Sequence, residues 1–251
     1  MRLASAAAAG EEWTAMHCLI LANGPAPLVE QIQYYANQAD LVIAADGGAA
    51  HALAAGLFPD VVVGDLDSLT PELLAELRAA EVTVLRFPTR KNETDMELAL
   101  TEAIRRGTTR VTILAATGGR LDQTVGNILL LTLPAFQAVP MRLVTDTEEA
   151  FIARHYAHLA GEAGDTVSLI PVTPRVSGVT TLGLEYPLER ANLTLGPSLG
   201  ISNAMLGADA EVKLHEGLLL VIHAWQHPPY RAVSIVNGAP PALAEPPADE
   251  T

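Results

Sequence analysis

The chain contains a single cysteine, Cys18, among its 251 residues. One thiol cannot form an intramolecular disulfide, so the chain is not a disulfide-stabilised scaffold, and it fits a reducing compartment. Hydrophobic residues make up 49% of the sequence, which is ample for a core without covalent cross-links. We therefore expect a cytoplasmic protein with Cys18 inside its hydrophobic core.

Positive charge is also scarce. Lysine and arginine together number 15 against 29 acidic residues, giving a formal net charge of −14, and the only lysines are Lys91 and Lys213. Proteins that bind nucleic acids do so with clustered basic residues, so this balance argues against a nucleic-acid partner. A small-molecule ligand is the better expectation, and a lysine inside a polar motif becomes informative.

No apolar segment reaches transmembrane length without charge, so we expect no membrane association. Residues 1–15 hold too short an apolar run for a signal peptide and are predicted to be a disordered extension. Residues 238–251 are rich in proline, alanine and acid, which predicts a disordered tail.

Apolar runs rich in β-branched residues alternate with helical patterns up to about residue 145. This alternation predicts a mostly parallel sheet covered by helices on both faces, with ligands bound at the carboxyl ends of the strands. The predicted strands are 17–22, 41–45, 61–63, 82–86, 111–116 and 141–145, and the predicted helices are 28–38, 48–55, 71–80, 94–106 and 122–132.

Two carboxylates follow the third predicted strand, one residue apart, at Asp65 and Asp67. A buried strand cannot carry unpaired anions through a core, so both should lie at its carboxyl end. Oxygen ligands of this kind suit Mg²⁺, which completes its shell with water and substrate phosphates. The alternative is that one aspartate caps the next helix and the other is solvated.

Glycine pairs mark two further strand ends, in Asp46-Gly47-Gly48 and in Gly118-Gly119. Glycine lets backbone N–H groups approach a phosphate closely, and a following helix N-terminus adds a favourable dipole. Each pair is equally compatible with a tight turn. The G-x-G-x-x-G and G-x-x-x-x-G-K-[ST] motifs are both absent, which argues against dehydrogenases and P-loop kinases.

The fourth predicted strand leads into a polar segment that contains Lys91, Thr94, Asp95 and Glu97. Thr94 and Glu97 have the spacing of a capping box, which places Asp95 in the first turn of the next helix. Asp95 then either favours the helix dipole alone or provides a third metal-binding carboxylate, with Lys91 available for phosphate oxygens.

Arg120 and Asp122 follow the Gly118-Gly119 pair. An arginine can bind phosphate through two parallel hydrogen bonds, and Asp122 could orient it or contact substrate. The alternative role for Asp122 is that of an acidic residue at a helix N-terminus.

The pattern changes after residue 146, where short β-type segments recur between turn residues without a long helix. We expect a Rossmann-like α/β domain at 16–146 and an all-β, sandwich-like C-terminal domain at 147–237. The predicted segments are 165–170, 176–184, 192–195, 211–214 and 217–223. Within this part, Ser202 and Asn203 form the one polar pair with a possible ligand role.

Taken in order, these motifs resemble the thiamine pyrophosphokinase family over about residues 17–223. Each motif is ordinary alone, but the ordered series followed by a β-rich domain is specific. The matching segments are 45–49, Pro59-Asp60, 64–68, 91–95, 118–122, Asn127 and 201–203.

The resemblance implies transfer of pyrophosphate from ATP to thiamine, with Mg²⁺, by a homodimer whose site is shared between subunits. Asp65, Asp67 and Asp95 would hold the metal, and an aspartate of this cluster could accept the hydroxyl proton. Asp46 and the two glycine pairs would bind ATP, with Lys91, Arg120 and Asp122 as catalytic residues. Ser202, Asn203 and Gln123 would face thiamine.

The sequence departs from the family pattern at Asn92, where aspartate is usual, and at Gln123, where many bacterial members have histidine. The aromatic residue expected near the Ser-Asn pair is also not evident. Two alternatives follow: a pyrophosphokinase for another hydroxymethyl heterocycle such as a pterin, and a non-catalytic thiamine or nucleotide sensor.

Overall fold

The computed structural model describes residues 15–227. Six parallel strands form the larger part of a ten-stranded sheet, in the order β4-β3-β2-β1-β5-β6. They are β1 (His17–Leu21), β2 (Leu41–Ala45), β3 (Val61–Gly64), β4 (Thr83–Arg86), β5 (Arg110–Leu114) and β6 (Met141–Val144). All six strands expected from the sequence are therefore present.

Five α-helices connect these strands: α1 (Val29–Ala36), α2 (Gly48–Ala54), α3 (Pro71–Ala79), α4 (Asp95–Arg105) and α5 (Leu121–Leu130). They cover both faces of the sheet. Alternate residues of β1 enter different cores, since Cys18 and Ile20 pack in the cluster that includes α4, while Leu19 packs with α1 and α2. Burial on both faces explains why these strands are continuous apolar runs.

The sheet continues into an antiparallel half. Beyond β6 the order is β7-β14-β9-β12, and the first of these strands pairs with β6 across residue 146, with Val144 opposite Glu149. The strands are β7 (Glu148–Ala153), β9 (Thr166–Pro171), β12 (Asn203–Ala204) and β14 (Leu219–Ala224). One sheet thus spans both parts of the chain.

A second, four-stranded sheet packs on this antiparallel half. Its order is β11-β10-β13-β8, with β8 (Tyr156–Ala160), β10 (Arg175–Leu182), β11 (Ala191–Thr194) and β13 (Asp209–Lys213). Buried residues from both sheets, such as Phe151, Leu159, Val176 and Val221, share one core. The expected combination of an α/β part and a β-sandwich-like part is confirmed.

Strands β7, β8 and β12 were not predicted. The first two are rich in alanine and contain charged or histidine residues, and β12 has only two residues, so none forms a β-branched apolar run. They form strands because β6 and β14 pair with β7, β13 pairs with β8, and β9 pairs with β12. The division at residue 146 stays a prediction, because the sheet crosses that point without interruption.

The predicted extension 1–15, apart from Ala15, and the predicted tail 238–251 lie outside the described residues. Within residues 15–227, none of the helices has both the length and the apolar character needed to span a membrane.

Candidate active site

The strand order reverses at β1, and a cavity lies at this reversal. From β1 the chain adds β2, β3 and β4 on one side, and α4 then carries it back so that β5 lies on the other side. The loops after β1 and β5 bound the crevice that such a reversal opens at the carboxyl ends of the strands. They are joined by a hydrogen bond from the Gly24 N–H to the Ala115 carbonyl at 2.8 Å.

The cavity has a volume of about 790 Å³. Among the described residues, all those that line it lie between Ala22 and Asn127. Its polar lining includes Asn23, Asp46, Asp65, Lys91, Asp95 and Arg120. Segments that are distant in sequence therefore meet at one edge of the sheet, as the strand-end argument predicted.

Three carboxylates converge there. Asp46 follows β2, and Asp65 and Asp67 follow β3; each offers an oxygen, and these oxygens lie within 4.8 Å of one another. Asp67 is exposed and does not line the cavity, Asp65 is half-buried, and Asp46 is only 5% exposed. The group that the structure assembles thus includes Asp46, which the sequence had associated with nucleotide.

The Asp46 carboxylate is only partly satisfied by the protein. Its Oδ2 accepts a hydrogen bond from the Asn23 amide at 3.2 Å, whereas its Oδ1 is buried without a hydrogen-bond partner among the described residues. Its backbone also has φ of +47°, a left-handed conformation that a non-glycine residue adopts at a cost. An unpaired buried oxygen on a strained residue is typical of a ligand-binding position.

Asp65 is kept ionised by its surroundings. The Asp67 backbone N–H donates to Asp65 Oδ1 at 3.2 Å, and this bond is the main cause that lowers the pKa of the Asp65 carboxyl. The Thr89 hydroxyl and the charge of Lys91 lower the pKa further. Asp65 therefore remains an anionic oxygen donor at neutral pH.

Gly64, at the end of β3, lies between the side chains of Asp46 and Asp95. A Cβ atom on Gly64 would lie 3.1 Å from Asp46 Cβ and 3.3 Å from Asp95 Cγ, and the backbone has φ of +153°. A side chain here would be strained and crowded on both sides. The glycine allows Asp46 and Asp95 to approach the same point from β2 and α4.

Asp95 occupies the first position of α4, as its sequence spacing predicted. Thr94 caps the helix, its hydroxyl accepting from the Glu97 N–H at 3.2 Å. Asp95 pairs with Lys91, with 2.9 Å between Nζ and Oδ1, and the lysine also donates to the Pro88 carbonyl at 3.3 Å. Asp95 is therefore next to the three clustered carboxylates but engaged with a cation of the protein.

Arg120 lines the cavity on the side of the β5 loop. It pairs with Asp122, with 3.1 Å between Nε and Oδ1, and both side chains are exposed. This ion pair raises the pKa of Arg120 and lowers that of Asp122. Asp122 does not line the cavity, and its observed contact is that of a partner that orients Arg120.

The two glycine pairs differ in their surroundings. Gly118 and Gly119 line the cavity with positive φ values of +82° and +64°, a backbone that exposes N–H groups. Gly47 and Gly48 do not line it; a Cβ on Gly47 would strike the Asn23 amide, and one on Gly48 would lie 2.0 Å from the Leu21 carbonyl. The Gly47-Gly48 pair therefore has a packing role, and its role in nucleotide binding stays a prediction.

The Ser202-Asn203 pair lies in the antiparallel part and does not line this cavity. Asn203 is buried and holds Tyr186, accepting from its N–H at 3.0 Å and donating to its carbonyl at 2.7 Å. Ser202 is exposed with φ of +57°. Gln123, the third residue predicted to contact thiamine, does line the cavity.

Sequence reasoning missed Asn23 and Thr89 as site residues. Both line the cavity. Asn23 hydrogen-bonds Asp46, and the Thr89 hydroxyl helps to lower the pKa of Asp65. Asn23 could have been found, because it stands two residues after the end of β1, at the same edge as the other motifs. Thr89 gave no signal, since a threonine in a loop has no distinctive spacing.

The fold and this site together define the chain as an α/β enzyme with a carboxylate-lined crevice at the point where its sheet reverses order. Two family models match it in sequence: the catalytic domain of thiamin pyrophosphokinase over residues 32–143 and the vitamin B1 binding domain of thiamin pyrophosphokinase over residues 154–219. The chain belongs to the thiamine pyrophosphokinase family.

Individual relatives agree. Thiamine pyrophosphokinase from Bacillus subtilis (strain 168) is 30% identical over 207 residues, covering 82% of this chain and 97% of the relative. The crystal structure of the B. subtilis protein superposes with a TM-score of 0.76 at 28% identity, covering 84% of this chain and all of that one. The Geobacillus thermodenitrificans thiamin pyrophosphokinase gives a TM-score of 0.74 at 30% identity, covering 83% and 97%.

Proposed function

We propose that this protein transfers the pyrophosphoryl group of ATP to the hydroxyl of thiamine, giving thiamine diphosphate and AMP. The observation that carries the proposal is the cavity at the sheet reversal, where carboxylates and two cationic side chains meet. Both family domains match in order, which supports thiamine as the acceptor.

The reducing, cytoplasmic location predicted from composition is compatible with the buried thiol of Cys18, whose pKa is raised to about 12 by burial.

Mg²⁺ fits the residues present. Asp46, Asp65 and Asp67 supply oxygens, the ligands that this cation prefers, and the unpaired Asp46 Oδ1 is a buried acceptor that a cation would satisfy. When bound, Mg²⁺ would neutralise phosphate charge. The sequence-based proposal that Asp95 is a further ligand requires the carboxylate to be shared with, or released from, Lys91.

Phosphoryl transfer depends chiefly on positioning and charge neutralisation. Lys91 and Arg120 line the same cavity from different segments, one before α4 and one before α5, so both would be available to the oxygens of a bound polyphosphate. The Gly118-Gly119 backbone would donate N–H groups to its oxygens. Asp122 would hold the Arg120 guanidinium in place through the existing ion pair.

Part of the thiamine side of the site would come from a second copy. Ser202 and Asn203 do not line this chain's cavity, so they can face thiamine there only as residues of a partner. Large apolar side chains lie exposed in both regions that would meet, with Leu121, Val125 and Leu129 on α5, and Leu199, Ile201 and Leu206 around the Ser-Asn pair. Exposed large apolar side chains favour association, which supports the predicted homodimer.

The test is to incubate the protein with ATP and Mg²⁺, together with thiamine or a hydroxymethylpterin, and to measure AMP and the diphosphate product. Thiamine diphosphate with equal AMP is expected. If a diphosphate product formed with the pterin but not with thiamine, the acceptor would be a pterin. If no AMP formed with either acceptor, the protein would be a non-catalytic sensor.

Substitution of Asp65 or Asp67 by asparagine tests the metal assignment. Each variant should lose about 100-fold or more in turnover, because charge neutralisation in the transition state is lost, while the melting temperature stays near that of the wild type. Glu76→Gln, an exposed acid on α3, is the charge-matched control. Turnover near the wild-type value in either aspartate variant at saturating Mg²⁺ would refute the assignment.

A further inference from the structure

Asn23 connects two of the clustered acidic segments. Its side-chain NH₂ donates to Asp46 Oδ2 and to the Ser68 hydroxyl oxygen, each at 3.2 Å. The Ser68 hydroxyl in turn donates to Asp67 Oδ1 at 3.4 Å. A single amide at the end of β1 thus links the carboxylate after β2 with the carboxylate loop after β3.

The direction of this hydrogen-bond chain is fixed by its ends. An ionised carboxylate only accepts, so the amide NH₂ must face Asp46, and both of its hydrogens are then used, one on Asp46 and one on Ser68. Because the Ser68 oxygen accepts from Asn23, its own hydrogen is available for Asp67. The amide orientation therefore follows from chemistry.

The contact also leaves the other Asp46 oxygen unpaired. With Oδ2 occupied by Asn23, the buried Oδ1 is the atom without a partner among the described residues, and it belongs to the carboxylate that joins Asp65 and Asp67 within 4.8 Å. Hydrogen bonds of this kind orient metal-binding side chains and raise their affinity.

We infer that Asn23 is a positioning residue that sets the Asp46 and Asp67 carboxylates for divalent-cation binding. The inference rests on the proposed function for the metal site, but not on thiamine or ATP as reactants. Asn23 itself need not touch the metal.

Gly47 provides an independent means of testing this role. A Cβ on Gly47 would lie 2.1 Å from Asn23 Oδ1 and 2.4 Å from its Cγ, so alanine there must displace the amide. The Gly47 backbone is right-handed, with φ of −59° and ψ of −12°, which alanine adopts freely. The amide is the flexible end of an exposed side chain and can move away, so Gly47→Ala should remove the contact without unfolding the protein.

The experiment measures Mn²⁺ binding to the full chain without nucleotide, from the loss of the free-ion signal in electron paramagnetic resonance. Asn23→Ala and Gly47→Ala should each weaken Mn²⁺ binding about tenfold, the lower end of the range for such supporting contacts. Their combination should weaken it no further than either alone, since both remove the same contact. Asn37→Ala, an exposed asparagine after α1 at the opposite edge of the sheet, should bind Mn²⁺ as the wild type does.

The outcomes separate the two proposals. Mn²⁺ affinities within twofold of the wild type in both single variants, or effects that add in the double variant, would overturn the role of Asn23. No Mn²⁺ binding by the wild type would also overturn it. Wild-type Mn²⁺ binding weakened in the variants, without any AMP formed from ATP and thiamine, would instead reject the proposed reaction and leave the positioning role standing.

Discussion

At the scale of single residues, Gly64 decides whether the acidic segments can meet. It ends β3 with φ of +153°, and a Cβ there would come within 3.1 Å of Asp46 and 3.3 Å of Asp95. Gly64→Ala should lower turnover at least tenfold, because two carboxylates are displaced. It should also destabilise the fold by about 1–3 kcal/mol through backbone strain, measured by urea denaturation.

Gly56 is the matched control for this prediction. It also has positive φ, at +74°, but a Cβ there would meet nothing within 4 Å. Gly56→Ala should therefore share the loss of stability and keep its turnover. If both alanine variants retain turnover, crowding at Gly64 does not control the site.

At the scale of elements, the end of α4 carries an ion-pair cluster that should govern its response to acid. Glu102, buried on this helix, pairs with Arg105 at 2.7 Å and with Arg106 at 2.6 Å. The hydrogen bond from Arg105 is the main cause that lowers the pKa of Glu102 from its usual 4.5 to about 2. A carboxyl group whose pKa is lowered on folding stabilises the fold at pH values above its unfolded-state pKa. This stabilisation is lost as the pH falls toward the folded-state pKa.

The cluster therefore stabilises the protein fully above pH 4.5 and progressively less down to about pH 2. Glu102→Gln should lower the urea midpoint at neutral pH, and the difference from the wild type should shrink between those limits. Glu76→Gln, on an exposed face of α3, should show neither effect. A difference that is constant with pH would contradict the ion-pair explanation.

At the scale of the whole molecule, Ser202 and Asn203 do not line the cavity that most other predicted site residues line, so the proposed site would need a second chain. A two-fold dimer would complete two sites, each from the α/β part of one copy and the β part of the other. This arrangement predicts that two inactive variants restore activity when they are mixed.

The variants are Asp67→Asn and Ser202→Lys, the second because Ser202 is exposed and an ammonium there would repel the thiazolium cation. Asn203 is unsuitable, since its side chain holds Tyr186 in the fold. Each variant should be inactive alone. Unfolding and refolding an equal mixture should give about half heterodimers, each with one intact site, and about a quarter of wild-type activity.

Size-exclusion chromatography and differently tagged chains would establish that heterodimers formed. A site contained within one chain would carry a lesion in every copy, so no activity would return. Confirmed heterodimers without recovered activity would exclude the shared site.

The sequence by itself determined the parallel half and the positions of its polar motifs. Apolar runs and helical periodicity located all six strands and five helices, because both patterns are local consequences of burial. The strand-end rule then placed Asp46, Asp65, Asp95 and Arg120 at one edge, where they line a single cavity.

Only the tertiary structure decided which side chains contact one another. That Asp46 joins Asp65 and Asp67 while Asp95 pairs with Lys91 depends on close packing around Gly64, which residue spacing does not encode. Strands β7 and β8 likewise exist because β6, β13 and β14 pair with them. Strand pairing and side-chain contact join residues far apart in sequence, so their energies are decided by the whole fold and not by the local pattern.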